Sequence, residues 1–416
     1  MPPESEMRAL NQSRWLSIVG IGEDGVKGLG DNARDAIAAA AFVFGGKRHL
    51  ELASSLITGE SRPWSTPFDP AMRDVVALRG KRVCVLASGD PFCFGVGATL
   101  SRHVPADEFV SYPSSSAFSL AASRLGWPLQ EIETVSLHGR PLDLIRPLVH
   151  PGRRIIALTS DERGPAELAA LLTESSFGKS QLTVLEALGG AAERIRVVQA
   201  DEFALHDINV LNVVAIEVAA NGPARFLPLG FGLDDALFEH DGQITKREIR
   251  ALTLSALSPR RGELLLDIGA GSGSIGIEWM LADPSMKAIA IEAHPERAAR
   301  IRRNAARFGV PGLVVVEGEA PSALNGLPPP DAIFIGGGGS EPGVFETAAA
   351  ALKSGGRLVA NAVTLEMEAV LLTAKATLGG SLIRMDVSRA SPVGSMQGWK
   401  PAMPVTQWTW TKGTEP

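Results

Sequence analysis

Short apolar runs alternate with amphipathic stretches along the whole chain. In the first half, seven such runs predict strands at Leu16–Val19, Phe42–Gly45, Arg82–Ala87, Phe109–Tyr112, Arg154–Leu158, Leu182–Glu186 and Asn212–Val218. In the second half, five predict strands at Leu264–Ile268, Lys287–Glu292, Leu313–Glu317, Ala332–Ile335 and Arg357–Ala360. The helical patterns between the latter fall at Lys246–Leu257, Ser274–Leu281, Pro295–Phe308 and Val344–Leu352. This alternation is typical of α/β proteins with mostly parallel sheets. After it, the aromatic segment "PVTQWTWTKGTEP" predicts a closing strand with a frayed tail.

Residues 219–238 are rich in glycine and proline and show no clear periodicity. They separate the two strand–helix series, so we predict two domains, 14–225 and 226–416, with the boundary near Arg225. A chain of 416 residues is long enough for two domains of about 200 residues each.

The composition narrows the class of protein. A formal net charge of −6 argues against a general nucleic-acid binder, which needs a basic face. The two cysteines, Cys84 and Cys93, supply neither a disulfide framework nor a metal-ligand cluster, so we expect no metal and a reducing, cytoplasmic location. The first 15 residues lack an apolar signal core, and no apolar run reaches the roughly 18 residues that a membrane helix needs. We therefore expect neither nucleic acid nor membrane as a partner.

The stretch "LLLDIGAGSGSIGIEW" is the strongest chemical signal of the second half. Its loop, Gly269, Ala270, Gly271, Ser272 and Gly273, joins an apolar strand to a helix. Glycines let a ligand lie against the main chain, and the helix start offers free N–H groups. The G-x-G-x-G spacing lacks the G-x-x-G step of dinucleotide sites, which favours a ligand without pyrophosphate.

Acidic residues follow at the ends of the next two strands. Glu292, about 20 residues after the loop, can accept hydrogen bonds from ribose hydroxyls. Glu319 and Ala320, in "VVEGEAP", fall where an adenine would lie. This combination resembles the class I S-adenosylmethionine methyltransferases.

Further stretches of the second half narrow the resemblance to one family. "GLDDALFEHDGQITKREIRALTLSAL", "PDAIFIGGGG" and "GGRLVANAVTLE" resemble the decarboxylating precorrin methyltransferases of cobalamin synthesis, which act at carbon 15, and the resemblance runs from about Leu229 to the end. It implies a Rossmann-like fold in which Thr245, Gly269–Gly273, Glu292 and Ala320 line the cofactor. It also implies that the "IFIGGGGS" loop, which contains Gly337, borders the site of methyl transfer.

In the first half, "WLSIVGIGEDG" resembles a degenerate dinucleotide loop with glycines at Gly20 and Gly22. However, the next strand ends "VFGGKRHL", without the acidic partner that such a site requires. Two later stretches are more informative: "SGDPFCFG" holds a tight turn at Gly89, Asp90 and Pro91, and "PSSSAF" holds Ser115.

Residues 14 to 220 resemble the class III, tetrapyrrole-type methyltransferases, in which S-adenosylmethionine lies in a cleft between two α/β lobes. "GGKRHL" and "VSLHGR" are similar to the member that methylates carbon 5 of precorrin-6Y. One departure is "GIGEDG", because the family commonly has proline after the second glycine, and Glu23 and Asp24 make this loop more acidic.

Together the two resemblances imply the bifunctional precorrin-6Y C5,15-methyltransferase (decarboxylating) family of cobalamin biosynthesis. They imply S-adenosyl-L-methionine in each domain and methylation at carbons 5 and 15. They also imply loss of the carbon-12 acetate carboxyl as CO₂ to give precorrin-8. Both related families assemble, so we expect a homo-oligomer, a dimer through the N-terminal domain and a tetramer through the C-terminal domain.

A corrinoid precursor carries many carboxylates, so basic side chains should line its pockets. The candidates are Lys47, Arg48, His49, His138, Arg140, Lys246, Arg247 and Arg250. Each could instead lie on a solvated face, as we expect for "RIRRNAARF", and no catalytic residue is assigned. Two other functions stay open: a methyltransferase acting on RNA or another tetrapyrrole, and a non-catalytic scaffold whose first domain has lost its cofactor.

Overall fold

The computed structural model describes residues 14–65, 68–222, 224 and 226–413. The contacts divide the chain into two units. The first takes the chain up to Leu142 and again from His150, and the second takes Asp143–Val149 and the chain from Phe226. The expected boundary at Arg225, the polar N-terminal segment before Arg14 and the last three residues of the expected tail lie outside the described residues.

The first unit begins with a five-stranded, fully parallel sheet. Its strands are β1 (Leu16–Ile21), β2 (Phe42–Gly45), β3 (Glu60–Pro63), β4 (Val83–Ser88) and β5 (Phe109–Tyr112), in the order β3-β2-β4-β1-β5. Its helices are α1 (Asp31–Ala39), α2 (Lys47–Leu52), α3 (Phe68–Val76) and α4 (Val96–Leu100). Continuous apolar runs form β1 and β4 because both faces of a parallel sheet are covered. The loops after β1, β2 and β4 therefore leave from the same edge.

The second sheet of this unit has the order β6-β7-β10-β8-β9. It consists of β6 (Glu133–Ser136), β7 (Arg154–Leu158), β8 (Gln181–Glu186), β9 (Arg194–Gln199) and β10 (Asn212–Glu217), with helices α5 (Ala117–Leu125) and α6 (Gly164–Glu174). Only β6 and β7 run parallel, and the other three pairings are antiparallel. The expectation of mostly parallel sheets is thus wrong for this sheet, because the short connection after β8 forms a hairpin with β9.

The second unit is built on a seven-stranded sheet ordered β13-β12-β11-β14-β15-β19-β16. Its strands are β11 (Leu264–Ile268), β12 (Lys287–Glu292), β13 (Val314–Glu317), β14 (Ala332–Ile335), β15 (Arg357–Ala362), β16 (Ser381–Met385) and β19 (Val405–Thr411). Its helices are α7 (Arg247–Leu257), α8 (Ser274–Leu281), α9 (Pro295–Arg307), α10 (Val344–Ala351) and α11 (Leu365–Leu378). The strands up to β15 are parallel, β19 is antiparallel to both its neighbours, and β17 (Ser388–Val393) and β18 (Met396–Pro401) form a separate hairpin.

Both faces of this sheet are covered by apolar side chains. Leu265 and Phe334 belong to the core on one face, and Leu266 and Ile333 belong to the core on the other. The alternation along each strand fixes the register, since a slip of one residue would exchange the two faces. The carboxyl ends of β11, β12 and β14 consequently meet at one edge, where the glycine loop lies.

The α/β class is confirmed, and the twelve expected strands all form, most of them with ends within a residue of those expected. The expected closing strand also forms, as β19. Several elements give little signal in the sequence. Strand β3 is polar, and β9 intersperses Ile195, Val197 and Val198 with Arg and Gln; both are largely exposed and lack a continuous apolar run. Helix α11 has no single apolar stripe, because Leu365 and Leu372 on it are exposed while Leu371 is buried.

Candidate cofactor and substrate sites

The glycine loop of the second unit requires glycine for two reasons. Gly269, Gly271 and Gly273 have φ angles of +70°, +59° and +77°, the left-handed region that other residues rarely adopt. A Cβ at Gly269 would also lie 2.6 Å from the carbonyl oxygen of Gly337. The structure therefore brings the expected cofactor loop against the "IGGGG" loop, in which Gly337 was expected to border the reaction site.

Glu292 lies directly beside this loop. It is 5% exposed, and its Oε2 accepts a hydrogen bond from the N–H of Gly271 (2.8 Å), while Oε1 accepts from the N–H of His294 (3.1 Å). Each carboxylate oxygen keeps a further lone pair, so both can accept from a ligand hydroxyl. This is the geometry that a ribose diol would need.

The other expected cofactor residues of this unit lie around the same edge. The N–H of Gly318 donates to the carbonyl of Glu292 (3.1 Å), which places Glu319, exposed, and Ala320, half-buried, next to it. Ser272 is 1% exposed, and its carbonyl accepts from Asn304 (2.9 Å). Ala270, half-buried, donates its N–H to Ile291 (3.1 Å).

The segment before α7 approaches the loop as well. A Cβ on Gly271 would meet the carbonyl of Gln243 at 3.1 Å, and Thr245, two residues later, is half-buried. Gln243 carries no signal in the sequence, because the contact is made through its backbone carbonyl and does not depend on the residue type.

Asp267, at the end of β11, is a buried carboxyl that the sequence analysis did not assign to the site. Its Oδ2 accepts from the N–H of Gly276 (3.1 Å), and its buried Oδ1 has no hydrogen-bond partner among the described residues. Burial raises the pKa of Asp267 to about 7, and the charge of Glu292 adds to the shift. At neutral pH this carboxyl is poised between its two forms.

The raised pKa of Asp267 predicts a pH-dependent stability of the second unit. Folding favours the protonated carboxyl, so between the ordinary value near 4 and about 7 the folded state binds more protons. The free energy of unfolding should therefore fall as the pH rises, by about 2 kcal/mol between pH 5 and pH 7 relative to Asp267→Asn. Hydrogen exchange of β11 and β14 at both pH values measures this, and identical pH dependence of the two proteins would contradict it.

Arg250 corrects one expectation from the sequence. It was expected to be a candidate for binding substrate carboxylates, but its side chain is 0% exposed. Its Nε donates to Oε1 of Glu278 (2.5 Å), its Nη1 bonds Asp235 (3.1 Å), and the guanidinium lies 4.8 Å from the ring centre of Phe238. A guanidinium with these partners holds the protein together and has no access to a substrate.

The basic residues near Arg250 at the start of α7 are more exposed to solvent than Arg250. Lys246 forms a 3.7 Å ion pair with Asp235 and is 45% exposed, and Arg247 is exposed. Of the arginines of "RIRRNAARF", Arg302, Arg303 and Arg307 are exposed as expected, and Arg302 pairs with Glu317 (2.7 Å) and Arg303 with Glu239. Arg300 departs from the expectation, because its side chain is only 15% exposed and pairs with Asp241 (3.0 Å). Lys246 and Arg247 thus remain accessible to a bound molecule.

In the first unit, the structure brings together three expected turns. A Cβ on Gly20 would lie 1.7 Å from the carbonyl oxygen of Gly89, and a Cβ on Gly89 would lie 2.7 Å from the carbonyl oxygen of Ser115. Ser114 joins them, donating from Oγ to Gly20 (2.8 Å) and from its N–H to Gly89 (3.2 Å). The backbone of all three turns lies at the carboxyl edge of the parallel sheet.

The remaining expected cofactor residues of this unit flank the same turns. Gly22 is half-buried, and Pro91 is buried with its carbonyl 2.6 Å from a Cβ placed on Gly95. The Oδ1 of Asp90 accepts from the N–H of Phe92 (2.8 Å), which closes the turn.

A polar cluster made of Glu23, Arg48, His49 and Ser88 adjoins these turns. Arg48 pairs with Glu23 and donates from Nη2 to the Oγ of Ser88 (2.9 Å), which lies 2.8 Å from Nε2 of His49. Burial lowers the pKa of His49 to about 4, and the charge of Arg48 adds to the shift, so the imidazole is neutral. Glu23, the acidic departure in "GIGEDG", is therefore matched by a cation from the "GGKRHL" segment.

The other basic candidates of the first unit are more open. Lys47, His138 and Arg140 are exposed. His138 Nδ1 lies 3.2 Å from the carbonyl of Thr159, and the guanidinium carbon of Arg140 lies 6.0 Å from the ring centre of Phe94. Neither side chain is held as Arg250 is.

The described residues hold no group of three or more His, Cys, Asp or Glu side chains placed to bind a metal ion. No helix among them is long and apolar enough to cross a membrane.

Comparison with known proteins defines the class of each half. The family described as Tetrapyrrole (Corrin/Porphyrin) Methylases matches residues 16–204, and the Precorrin methyltransferase domain matches residues 236–412. The chain thus combines two methyltransferase domains of tetrapyrrole chemistry. It belongs to the precorrin-6Y C5,15-methyltransferase (decarboxylating) family, which confirms the resemblance seen in the motifs.

Two relatives match nearly the full chain, and a crystal structure matches the second half. A precorrin-6Y C(5,15)-methyltransferase [decarboxylating] of Sinorhizobium sp is 68% identical over 401 residues, covering 96% of this chain and 97% of the relative. One of the same name from Mycobacterium tuberculosis is 42% identical over 401 residues, covering 95% and 100%. The crystal structure of the C-terminal domain of the Rhodobacter capsulatus precorrin-6Y C5,15-methyltransferase is 46% identical, with a TM-score of 0.43, covering 45% of this chain and all of that one.

Proposed function

We propose that this chain methylates precorrin-6Y at carbons 5 and 15 and releases the carbon-12 acetate carboxyl as CO₂, giving precorrin-8. The first unit methylates carbon 5, and the second methylates carbon 15 and decarboxylates. The observation that carries the proposal is the 68% identity over 96% of the chain to a relative of that name, with both methyltransferase domains in one polypeptide.

We further propose one S-adenosylmethionine in each unit. Bound there, it supplies a methyl group on a sulfonium centre. In the second unit, Glu292 and the Gly269–Gly273 backbone support this assignment, since the carboxylate can hold a ribose while the loop admits close approach. In the first unit the turns of Gly20, Gly89 and Ser115 meet at one sheet edge, where Gly89 is half-buried and Ser115 is exposed, which supports a cofactor site there.

Methyl transfer is an in-line displacement, so the chain contributes chiefly by alignment. Of the four glycines after β14, Gly337 and Gly338 are exposed, and a Cβ on Gly338 would meet no atom within 4 Å, which supports approach of a bulky macrocycle next to the cofactor loop. Lys246 and Arg247 in the second unit, and Lys47, His138 and Arg140 in the first, are exposed, which supports a role in binding peripheral carboxylates. Arg48 is half-buried and paired with Glu23, so it binds a substrate carboxylate only by exchanging that partner.

The test is incubation of the protein with precorrin-6Y and isotopically labelled S-adenosylmethionine, followed by product mass. The expected product has gained two methyl groups and lost CO₂. One added methyl without decarboxylation would refute the assignment of the second unit. Calorimetric titration with S-adenosylhomocysteine should give two sites per chain, and one site would instead favour a scaffold with a single working domain.

We also propose that the chain self-associates and resides in the cytoplasm. The hairpin β17–β18 supports the first point, because it exposes Val393, Met396 and Trp399 by 60%, 73% and 77%. The free thiols of Cys84 and Cys93 fit a reducing compartment.

If the hairpin forms part of the interface between chains, charged residues placed on it should reduce the mass of the oligomer. Replacing both Met396 and Trp399 by lysine should reduce a tetramer to a dimer held through the first unit, because two buried cations would oppose the contact. Light scattering coupled to size-exclusion chromatography measures the mass. Val210→Lys, at a 60% exposed site of the first unit, is the matched control and should leave the mass of the tetramer unchanged. A variant of unchanged mass would exclude the hairpin from the interface.

A further inference from the structure

Phe94 has an unusual backbone for a bulky residue. It lies in the loop "SGDPFCFG" between β4 and α4, with a φ angle of +57°. Side chains with a Cβ rarely adopt this conformation, and for an aromatic residue it is energetically costly. The loop is folded tightly, since a Cβ on Gly95 or on Gly97 would lie 2.6 or 2.7 Å from the carbonyl oxygen of Pro91. Glycine would adopt this φ angle at a lower conformational energy. The phenyl ring must therefore have a role other than fitting the turn.

The ring of Phe94 is anchored on one side and open on the other. It contacts Phe118 of α5 with ring centres 5.7 Å apart, and Phe118 is 3% exposed. Yet Phe94 is 54% exposed, an unfavourable state for an aromatic side chain that packing alone could have buried. The contact with Phe118 therefore holds the ring in place while leaving apolar surface available.

The side chain of Arg140 lies over the ring of Phe94. The guanidinium carbon of Arg140 lies 6.0 Å from the ring centre of Phe94, and Arg140 is exposed. Within the described part of the chain, no carboxylate lies within ion-pair distance of Arg140. An aromatic surface next to an unneutralised guanidinium suits a molecule that is conjugated and anionic at its periphery.

We propose that Phe94 and Arg140 form a recognition platform for the tetrapyrrole substrate of the first unit. The phenyl ring stacks on the conjugated face of the macrocycle, and the guanidinium binds one of its peripheral carboxylates. The platform adjoins the Gly89–Pro91 turn, so it positions the macrocycle next to the proposed cofactor site. This inference rests on the proposed methylation of carbon 5 and identifies a specificity residue for it.

The decisive variant is Phe94→Gly, which removes the ring and relieves the backbone at the same time. Its affinity for uroporphyrin, a planar octacarboxylate used as the probe, should fall at least tenfold by fluorescence titration. The KM for precorrin-6Y in the carbon-5 step should rise by a similar factor with little change in kcat. Affinity for S-adenosylhomocysteine should remain that of the wild type. Thermal stability should not fall, because relief of the backbone offsets the lost contact with Phe118. Phe94→Trp, which keeps an aromatic ring, should bind the probe as the wild type does. Arg140→Ala should weaken probe binding by about the same factor as Phe94→Gly.

The matched control is Ser176→Gly, at another non-glycine residue of the first unit with positive φ, +67°. Relief of the backbone there should leave probe affinity and KM unchanged. Phe94→Leu keeps an apolar contact with Phe118 but loses the flat ring, so it separates loss of stacking from loss of folding. It should bind the probe as weakly as Phe94→Gly.

The outcomes separate the inference from the proposed function. Carbon-5 methylation by the wild type, together with wild-type probe affinity and KM in Phe94→Gly, would overturn the platform and leave the function intact. The opposite outcome is also informative. If the wild type does not methylate carbon 5, but Phe94→Gly still binds the probe more weakly than the wild type, the platform is supported and the proposed function of the first unit is refuted.

Discussion

Replacement of Arg250 by leucine is expected to lower the free energy of unfolding of the second unit by about 3–5 kcal/mol. The partner Glu278 is 1% exposed, and besides Arg250 it accepts hydrogen bonds from the N–H groups of Gly232 (2.7 Å) and Leu233 (3.1 Å). Leucine fills part of the volume but leaves this carboxylate buried without its cation. The loss exceeds what a surface ion pair contributes, because water cannot replace the guanidinium.

Arg247→Leu is the control for this change. It lies three residues earlier on α7 and is exposed, so its removal should alter stability by no more than about 0.5 kcal/mol. Hydrogen exchange of β11 and β14, read by mass spectrometry, follows the second unit separately from the first. Equal protection in Arg250→Leu and Arg247→Leu would show that the buried pair does not stabilise the fold.

Glu292→Ala is expected to weaken S-adenosylhomocysteine binding in the second unit by about 100-fold while leaving the first unit's site intact. The variant loses the proposed acceptor for the ribose and the bond to the N–H of Gly271, and hydrogen bonds to a charged group contribute about 1.5–3 kcal/mol each. With precorrin-6Y, the product should carry one added methyl and retain its carboxyl. Calorimetry and product mass measure the two effects.

Glu317→Ala serves as the matched control because Glu317 lies opposite Glu292 in the pairing of β12 with β13. It is exposed and pairs with Arg302 at the surface (2.7 Å), so cofactor binding should be close to that of the wild type. Undiminished carbon-15 methylation in Glu292→Ala would exclude the carboxylate from the cofactor site.

The sequence predicts those parts of the molecule whose signals are local. An apolar run followed by glycines determines β11 and its loop, and the structure places Glu292 next to Gly271 as the spacing suggested. The positive φ values explain why glycine recurs there. Such features depend on neighbours within about one strand–turn–helix unit, which a single sequence displays.

Features formed by distant residues could not be predicted in this way. Arg250 looks like other basic residues of its helix until Glu278, 28 positions later, is found beside it. Glu23 makes the "GIGEDG" loop more acidic than the family pattern, and only the structure shows that its charge is paired with Arg48, 25 positions later. In both cases the residue type was visible, but the partner that determines its role depends on how the sheet brings remote segments together.

The position of β19 has a consequence for how the second unit is made. Strand β16 pairs only with β19 in the described sheet, and β19 also completes the edge of β15. During synthesis on the ribosome, residues 381–385 therefore have no strand to pair with until residues 405–411 have emerged. Trp408, fully buried against Phe345, enters its core at that same late step. Closure of this sheet thus follows the synthesis of β19, and until then the nascent chain exposes two unpaired strand edges that other chains could join.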